Sequence, residues 1–181
     1  MFDKFHFFEA CSAFTRKLRG VEDSFRMHST VEVTVRDKNG KVKSHSVQKN
    51  LRTNGGADFW NTQLFAVSGI NGQAKTAGYM AITTDATAAA ATDTTLASEE
   101  TTNGLARTAQ LTPTHSAGAT SSVFSNTFTY TGSSSKVIAK VGLFNDTHAN
   151  GGTLVLETVL ASTATVNANG DTITITWTIN Y

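Results

Sequence analysis

A chain of 181 residues with 39% hydrophobic and 16% charged residues is long enough to bury a core and too weakly charged for a disordered polyelectrolyte. Its net charge of +1 gives no bulk attraction to nucleic acid or to a membrane, and no stretch approaches the roughly 20 apolar residues of a membrane span. The single cysteine excludes an intrachain disulfide, and one proline among many Thr, Ser, Gly and Asn residues favours a β protein with many turns.

The charges are distributed unevenly along the chain. Residues 1–52 carry eleven Lys and Arg against six Asp and Glu, whereas residues 53–181 carry four against eight. We interpret the basic front part as a solvated helix and hairpin, with contact to an acidic partner surface as the alternative.

The amino-terminal segment carries a stripe of apolar residues at helical spacing. Its members lie 4, 3, 4, 3 and 4 residues apart, as in a heptad repeat: Phe7, Cys11, Phe14, Leu18, Val21 and Phe25. We predict that residues 1–28 form an amphipathic helix or arm and that the stripe is the partner-binding site. Packing on its own domain and self-association are the alternatives. Asp3, His6 and Glu9 interrupt the apolar residues, so we do not expect the segment to be a secretory signal.

Residues 29–181 are predicted to form one β-rich domain. Val31, Val33 and Val35 alternate with polar residues, and the same alternation runs from Ile173 to Tyr181, as in half-buried strands. The predicted strands cover residues 31–36, 42–49, 78–84, 105–112, 122–131, 136–144, 153–160, 158–167 and 173–181. This number of short strands predicts a mainly β fold, an antiparallel β-sandwich of about eight strands.

Asn-Gly pairs mark the predicted turns. The pair occurs six times, at residues 39, 54, 71, 103, 150 and 169, and both of its residues tolerate a positive φ. Residues 55–67 have apolar side chains at helical spacing and predict one short internal helix, with Thr53 or Asn54 as its cap. The glycines before this helix match neither phosphate-binding pattern, so we interpret them as a cap and a turn.

No familiar catalytic or metal-binding motif appears. The five histidines have no neighbour at metal-ligand spacing, and no G-x-S-x-G motif is present. Asp85, Asp93 and Glu99 are eight and six residues apart, which is too wide for a compact calcium loop. The aromatic residues lie at core periodicities rather than among basic residues, unlike those of nucleic-acid-binding proteins. We predict no catalytic residue, no metal, no cofactor and no enzymatic activity.

Four segments stand out, in this order: VRDKNGKVKSHSVQKNLRTNGG, YMAITTDATAAAATDTTLASEETTNGLAR, KVGLFNDTHANGGTLVLET and GDTITITWTINY. Together they span roughly residues 31–181, and they resemble segments of small structural proteins of tailed bacteriophages. The chain departs from that pattern at residues 82–85, which replace a Gly-containing turn, at Lys140, where a Glu is common, and at Glu157, where a basic residue is common. Residues 1–28 lie outside the resemblance.

The resemblance implies a non-enzymatic virion protein with a β-sandwich domain. We expect assembly with itself and with other virion structural proteins in the bacterial host cytoplasm, at the tail, the collar or a fibre attachment, with no nucleic acid or membrane as partner. A head decoration protein is one alternative, and a host-surface or carbohydrate-binding module is another, although Trp60 and Trp177 lie at core-like positions. We interpret residues 79–107 as an ordered loop between two strands that suits subunit contacts.

Overall fold

The structure, a computed structural model, describes residues 27–56, 59–60, 77–107, 111–117 and 119–180. Within these residues the chain forms eight strands. They are β1 (His28–Arg36), β2 (Val42–Lys49), β3 (Leu51–Arg52), β4 (Tyr79–Thr83), β5 (Ser121–Thr129), β6 (Lys136–Phe144), β7 (Leu154–Val166) and β8 (Thr172–Asn180).

The strands form two antiparallel sheets that pack face to face. Sheet 1 has the order β2-β1-β8-β5, and sheet 2 has the order β3-β7-β6-β4. A single residue, Asn50, separates β2 from β3, so the chain passes from one sheet to the other at this point. The predicted mainly β, antiparallel sandwich of about eight strands is therefore confirmed.

Alternation in β1 and β8 places one face of sheet 1 in the core. Ile173, Ile175, Trp177 and Ile179 are buried, whereas the threonines between them are half-buried on the outer face, as the sequence predicts. The outer threonines are bridged to β5, since Thr174 Oγ1 lies 2.9 Å from the hydroxyl of a facing threonine. Trp177 also donates from Nε1 to a buried serine hydroxyl, at 3.2 Å, so its polar atom is satisfied.

Much of sheet 2 around β4, the second half of β6 and the first half of β7 is buried on both faces. The inner faces of β4, β6 and β7 join the main core, and a second small apolar cluster covers the outer face. That cluster contains Ala81, Leu96, Phe144 and Leu154, with Tyr79 packed against it. Leu96 comes from the segment between β4 and β5, so this segment forms a third layer over the sheet.

Two strand predictions were wrong. The described part of the predicted strand 105–112, residues 105–107 and 111–112, is not in a strand. Leu105 is buried in the core, and Thr114, after this segment, forms an isolated bridge with Val123 of β5. The strands predicted at 153–160 and 158–167 are one strand, β7. On β6, Ile138 and Lys140 are two positions apart, whereas their partners on β7, Ala164 and Val159, are five positions apart. The extra residues make β7 bulge, and residues 161–163 are exposed.

The Asn-Gly prediction is confirmed most clearly at Asn103 and Gly104, whose φ angles are 55° and 76°. The predicted internal helix is described only at its beginning, where residues 54–56 and 59–60 are helical. Thr53 is its cap, since its hydroxyl accepts a hydrogen bond from the amide of Gly56 at 3.0 Å. In the part of the chain that the structure describes, no helix is long and apolar enough to cross a membrane.

Candidate interaction surfaces

Residues 84–107, called here the clamped loop, lie against sheet 2. The loop covers the free edge of β4, because Thr83 forms a bridge with Glu99 and the amide of Glu100 donates to the carbonyl of Ile82 at 2.9 Å. The hydroxyl of Thr83 also donates to Ser98 at 2.9 Å. Strand edges with free main-chain groups attract other strands, so the loop protects this edge from unwanted pairing.

A buried arginine fixes the end of the clamped loop. Arg107 Nε donates to Glu99 Oε1 at 2.6 Å and Nη2 donates to Oε2 at 2.7 Å, and both side chains are 1% exposed. Nη1 donates to the carbonyls of Asp146 and Gly151, in the β6–β7 turn, at 2.9 and 3.1 Å. The guanidinium carbon lies 3.5 Å above the ring centre of Phe144. One side chain thus joins the loop, the turn and the second apolar cluster.

Two lysines of β6 hold the rest of the clamped loop. Lys136 Nζ lies 2.9 Å from Glu100, and Lys140 Nζ lies 3.5 Å from Asp85. The hydroxyl and the amide of Thr87 donate to Asp85 Oδ1, at 2.6 and 3.2 Å. These hydrogen bonds lower the pKa of the Asp85 carboxyl group. The acids of the loop are therefore occupied by partners within the same domain.

Lys140 and Glu157 meet on adjacent strands beneath the clamped loop. Their charged atoms are 3.8 Å apart, and Glu157 is 0% exposed. Burial, together with a hydrogen bond to Asp93, raises the pKa of Glu157 from 4.5 to about 7. The same hydrogen bond lowers the pKa of Asp93, so Glu157 is the donor and Asp93 the acceptor. The amide of Ala90 donates to Glu157 Oε1 at 3.2 Å.

Partners within the domain hold each of the acids that the sequence offered as metal ligands. Glu99 pairs with Arg107, and Asp85 contacts both Lys140 and Thr87. Asp93 accepts from the amide of Ala90 and contacts Glu157. Over residues 27–56, 59–60, 77–107, 111–117 and 119–180, no three His, Cys, Asp or Glu side chains are grouped as metal ligands.

A second surface lies where the two sheets end. A cleft of about 670 Å³, called here the end cleft, opens between the first residues of β1, the last of β8, and β3 with its neighbour in β7. It is lined by Met27, His28, Ser29, Lys49, Asn50, Leu51, Arg52, Leu156 and Ile179. Leu156 and Ile179 are each 3% exposed and form an apolar floor, whereas Leu51 is 37% exposed at the rim.

The end cleft has a basic rim. Lys49 and Arg52 stand beside Leu51, and neither forms an ion pair with any residue that the structure describes. Glu157, which faces Leu51 across the β3–β7 ladder, is buried beneath the clamped loop. The rim therefore combines exposed apolar surface with two positive charges that have no ion partner among the described residues, a pattern typical of a docking surface.

The six predicted partner-binding residues, from Phe7 to Phe25, lie outside the described residues. Met27, the first described residue, packs against the core and lines the end cleft. Sequence reasoning did not find this cleft, because its lining comes from five strands, the residue before β1 and the residue between β2 and β3. One sequence feature could have indicated it. Leu51 and Arg52 place an apolar residue beside a cation in the short connection between the β1–β2 hairpin and the internal helix.

Comparisons with known proteins yielded no relative from which a function could be transferred. No protein-family model matches the chain, and neither a curated protein nor a solved structure matches it. What the chain does is therefore inferred from its residues and their geometry.

Proposed function

We propose that the chain is a non-enzymatic structural subunit of a tailed-phage virion. It assembles with further copies of itself and with neighbouring virion proteins at the tail, the collar or a fibre attachment. Its working parts are then surfaces rather than a catalytic centre: the clamped loop over sheet 2 and the end cleft beside the amino-terminal segment.

The observation that carries this proposal is the contact between Lys140 and Glu157. The sequence resembles the phage proteins over most of its length, yet it has a base where they commonly have an acid and an acid where they commonly have a base. These two positions lie on neighbouring strands, with the charged atoms 3.8 Å apart. Because the two side chains are in contact, a change at one position is matched by the complementary change at the other, so the two departures compensate each other and support the resemblance.

The use of the acids in the clamped loop supports a structural role as well. Glu99, Glu100 and Asp85 each form an ion pair with a base of the same domain. A loop held at several points presents a fixed surface, and a fixed surface loses little conformational entropy when a neighbouring subunit packs on it. Alanine and threonine side chains on that surface add little further entropy cost.

The proposal is tested by locating the chain on particles. Purified virions of the phage that carries the gene are labelled with gold-conjugated antibody against the purified domain and imaged by electron microscopy. Gold at the tail, collar or fibres supports the proposal, and gold spread over the head favours the decoration alternative. Particles that lack the chain, shown by mass spectrometry and by the absence of gold, would contradict it. Particles from a phage deleted for the gene provide the labelling control.

A further inference from the structure

We propose that the end cleft is the docking site of residues 21–25 of the same chain, the sequence VEDSF. This inference concerns the subunit itself and does not rest on a place in the virion. The segment supplies two apolar side chains, Val21 and Phe25, for the floor of the cleft. Its two carboxylates, Glu22 and Asp23, supply partners for the basic rim.

The composition of the segment matches that of the cleft. The floor, formed by Leu156 and Ile179, is apolar and continuous with the main core, so an aromatic side chain placed there extends that core. The rim provides Lys49 and Arg52, which have no ion partner among the described residues. A neutral or basic segment would leave these two charges unpaired next to a newly covered surface, which is unfavourable.

The path of the chain places the segment at the mouth of the cleft. Met27 lines the cleft, and His28 begins β1 opposite Asn180 of β8. Phe25 is two residues before Met27, and Val21 is six residues before it, within a reach of roughly 20 Å for an extended chain. A tether this short keeps the segment at an effective concentration in the millimolar range, which favours the same chain over a second copy.

Docking in this way divides the apolar stripe of the amino-terminal segment into two parts. Val21 and Phe25 serve the chain's own domain, and the remaining members of the stripe are left for a neighbouring protein: Phe7, Cys11, Phe14 and Leu18. The end cleft then fixes the point from which that outer part of the stripe departs.

Chemical cross-linking of the full-length chain tests the proposal. All variants carry Cys11→Ser, and Ser24→Cys places one thiol inside the segment without removing Val21 or Phe25. The test variant adds Leu51→Cys in the cleft, and the matched control adds Val42→Cys. Val42 is also exposed, at 46%, but lies at the other end of β2. A short bismaleimide is added, and the products are separated on a denaturing gel.

The expected product is an internally linked monomer, formed at least roughly tenfold faster with Leu51→Cys than with Val42→Cys. Equal rates for the two variants would overturn the proposal. A linked dimer as the main product with Leu51→Cys would also overturn it, because the occupant would then be a second copy. Circular dichroism spectra matching those of the unmodified chain show that each variant is folded.

Charge reversal provides an independent arm of the same experiment. Arg52→Glu in the Ser24→Cys/Leu51→Cys background should slow the cross-link several-fold, since it opposes the acidic segment. Adding Glu22→Lys and Asp23→Lys should restore it. Lys41→Glu, in the β1–β2 turn away from the cleft, is the control and should have no effect. An equal effect of Lys41→Glu and Arg52→Glu would show that general charge, and not the rim, determines the rate.

Discussion

Arg107 and Glu99 form a two-point ion pair, with N–O distances of 2.6 and 2.7 Å, that is almost completely removed from solvent. The two residues are only eight positions apart in the chain, and the segment between them closes a tight loop at the end of the clamped loop. Because Arg107 also holds the β6–β7 turn through two carbonyls, the pair connects two segments that are far apart in sequence.

Arg107→Ala is expected to destabilise the domain by about 3–5 kcal/mol, because it leaves the buried Glu99 carboxylate without its partner. The double variant Arg107→Met/Glu99→Gln should lose less than Arg107→Ala, since no charge remains buried. Lys136→Ala is the comparison. Its side chain is 32% exposed, and it should cost under about 1 kcal/mol. Urea-induced unfolding measures all three, and equal losses for Arg107→Ala and Lys136→Ala would contradict the structural account.

The buried carboxyl group of Glu157 predicts a dependence of stability on pH. Its pKa is about 7 in the folded protein against an ordinary 4.5, so the folded state holds the proton more tightly. The corresponding stabilisation is fully present below pH 4.5 and is lost as the pH rises through 7. A complete shift of this size corresponds to on the order of 3 kcal/mol.

Glu157→Gln tests this sign directly. The amide accepts from Ala90 and donates to Asp93 as the protonated acid does, so the variant should match the parent protein at pH 5 and exceed its stability at pH 8. Denaturant unfolding at both pH values measures the difference. A variant that is less stable than the parent at pH 8 would show that the ionised form of Glu157 is the stabilising one, through Lys140.

Asp171 is expected to make stability depend on pH in the opposite direction to Glu157, and at acid pH. Burial works against its charge, but the amides of Asn167 and Ala168 and the ammonium group of Lys43 donate to it and lower its pKa. The stabilisation from this lowered pKa is present above the ordinary value of 3.8 and is lost as the pH falls below it. Asp171→Asn should therefore flatten the acid limb of the stability curve and leave the limb near pH 7 unchanged.

Substitution of two glycines by alanine distinguishes the cost of an unfavourable backbone conformation from the cost of a steric clash. Gly40 and Gly104 have φ angles of 84° and 76°, so Ala at either position adopts an unfavourable conformation, which costs about 1–2 kcal/mol. A Cβ at Gly40 meets nothing within 4 Å, whereas one at Gly104 would lie 2.0 Å from the carbonyl oxygen of Thr129. Gly104→Ala should therefore cost about 3–5 kcal/mol in thermal or urea unfolding. Similar small losses for both would mean that the turn at residue 104 can move.

The two faces of β8 predict very different costs for neighbouring residues. Trp177 is 0% exposed and its truncation to Ala should cost about 3–5 kcal/mol. Thr176 lies on the outer face, 3.4 Å from the hydroxyl of Ser125, and its truncation should cost under about 1 kcal/mol. Unfolding curves of the isolated chain decide this. If Thr176→Ala instead impairs assembly while leaving the isolated chain stable, the outer face of sheet 1 is a subunit contact.

The sequence predicted features that depend on neighbouring residues. The alternation of β8 and the Asn-Gly turn at residues 103 and 104 follow from local geometry, and both are found. The bulge of β7 was missed because residues 161–163 interrupt the alternation without a Gly or Pro to mark a turn. A run of small and β-branched residues gives the same signal for one bulged strand as for two short ones.

The contacts that define the candidate surfaces were not predictable in this way. The amide of Ala90 and the carboxyl group of Glu157 are 67 positions apart, and their contact depends on how the clamped loop crosses sheet 2. The end cleft likewise requires β3 and β8 to be placed on opposite sheets. Periodicity in a single sequence indicates local structure and not contacts between distant positions, so the partners of the acids in the loop could not be predicted from it.

The order of strands in sheet 1 also governs how the chain acquires its fold during synthesis. β8 lies between β1 and β5, and the hydrogen-bonded Ser29 and Trp177 are 148 positions apart. The ribosome therefore releases the β1–β2 hairpin long before its other neighbour exists, with Val31, Val33 and Val35 still uncovered. Pairing over such a distance is slow, and uncovered strands aggregate readily. A nascent chain that stalls before residue 172 should need a chaperone to stay in solution, whereas the completed chain should not.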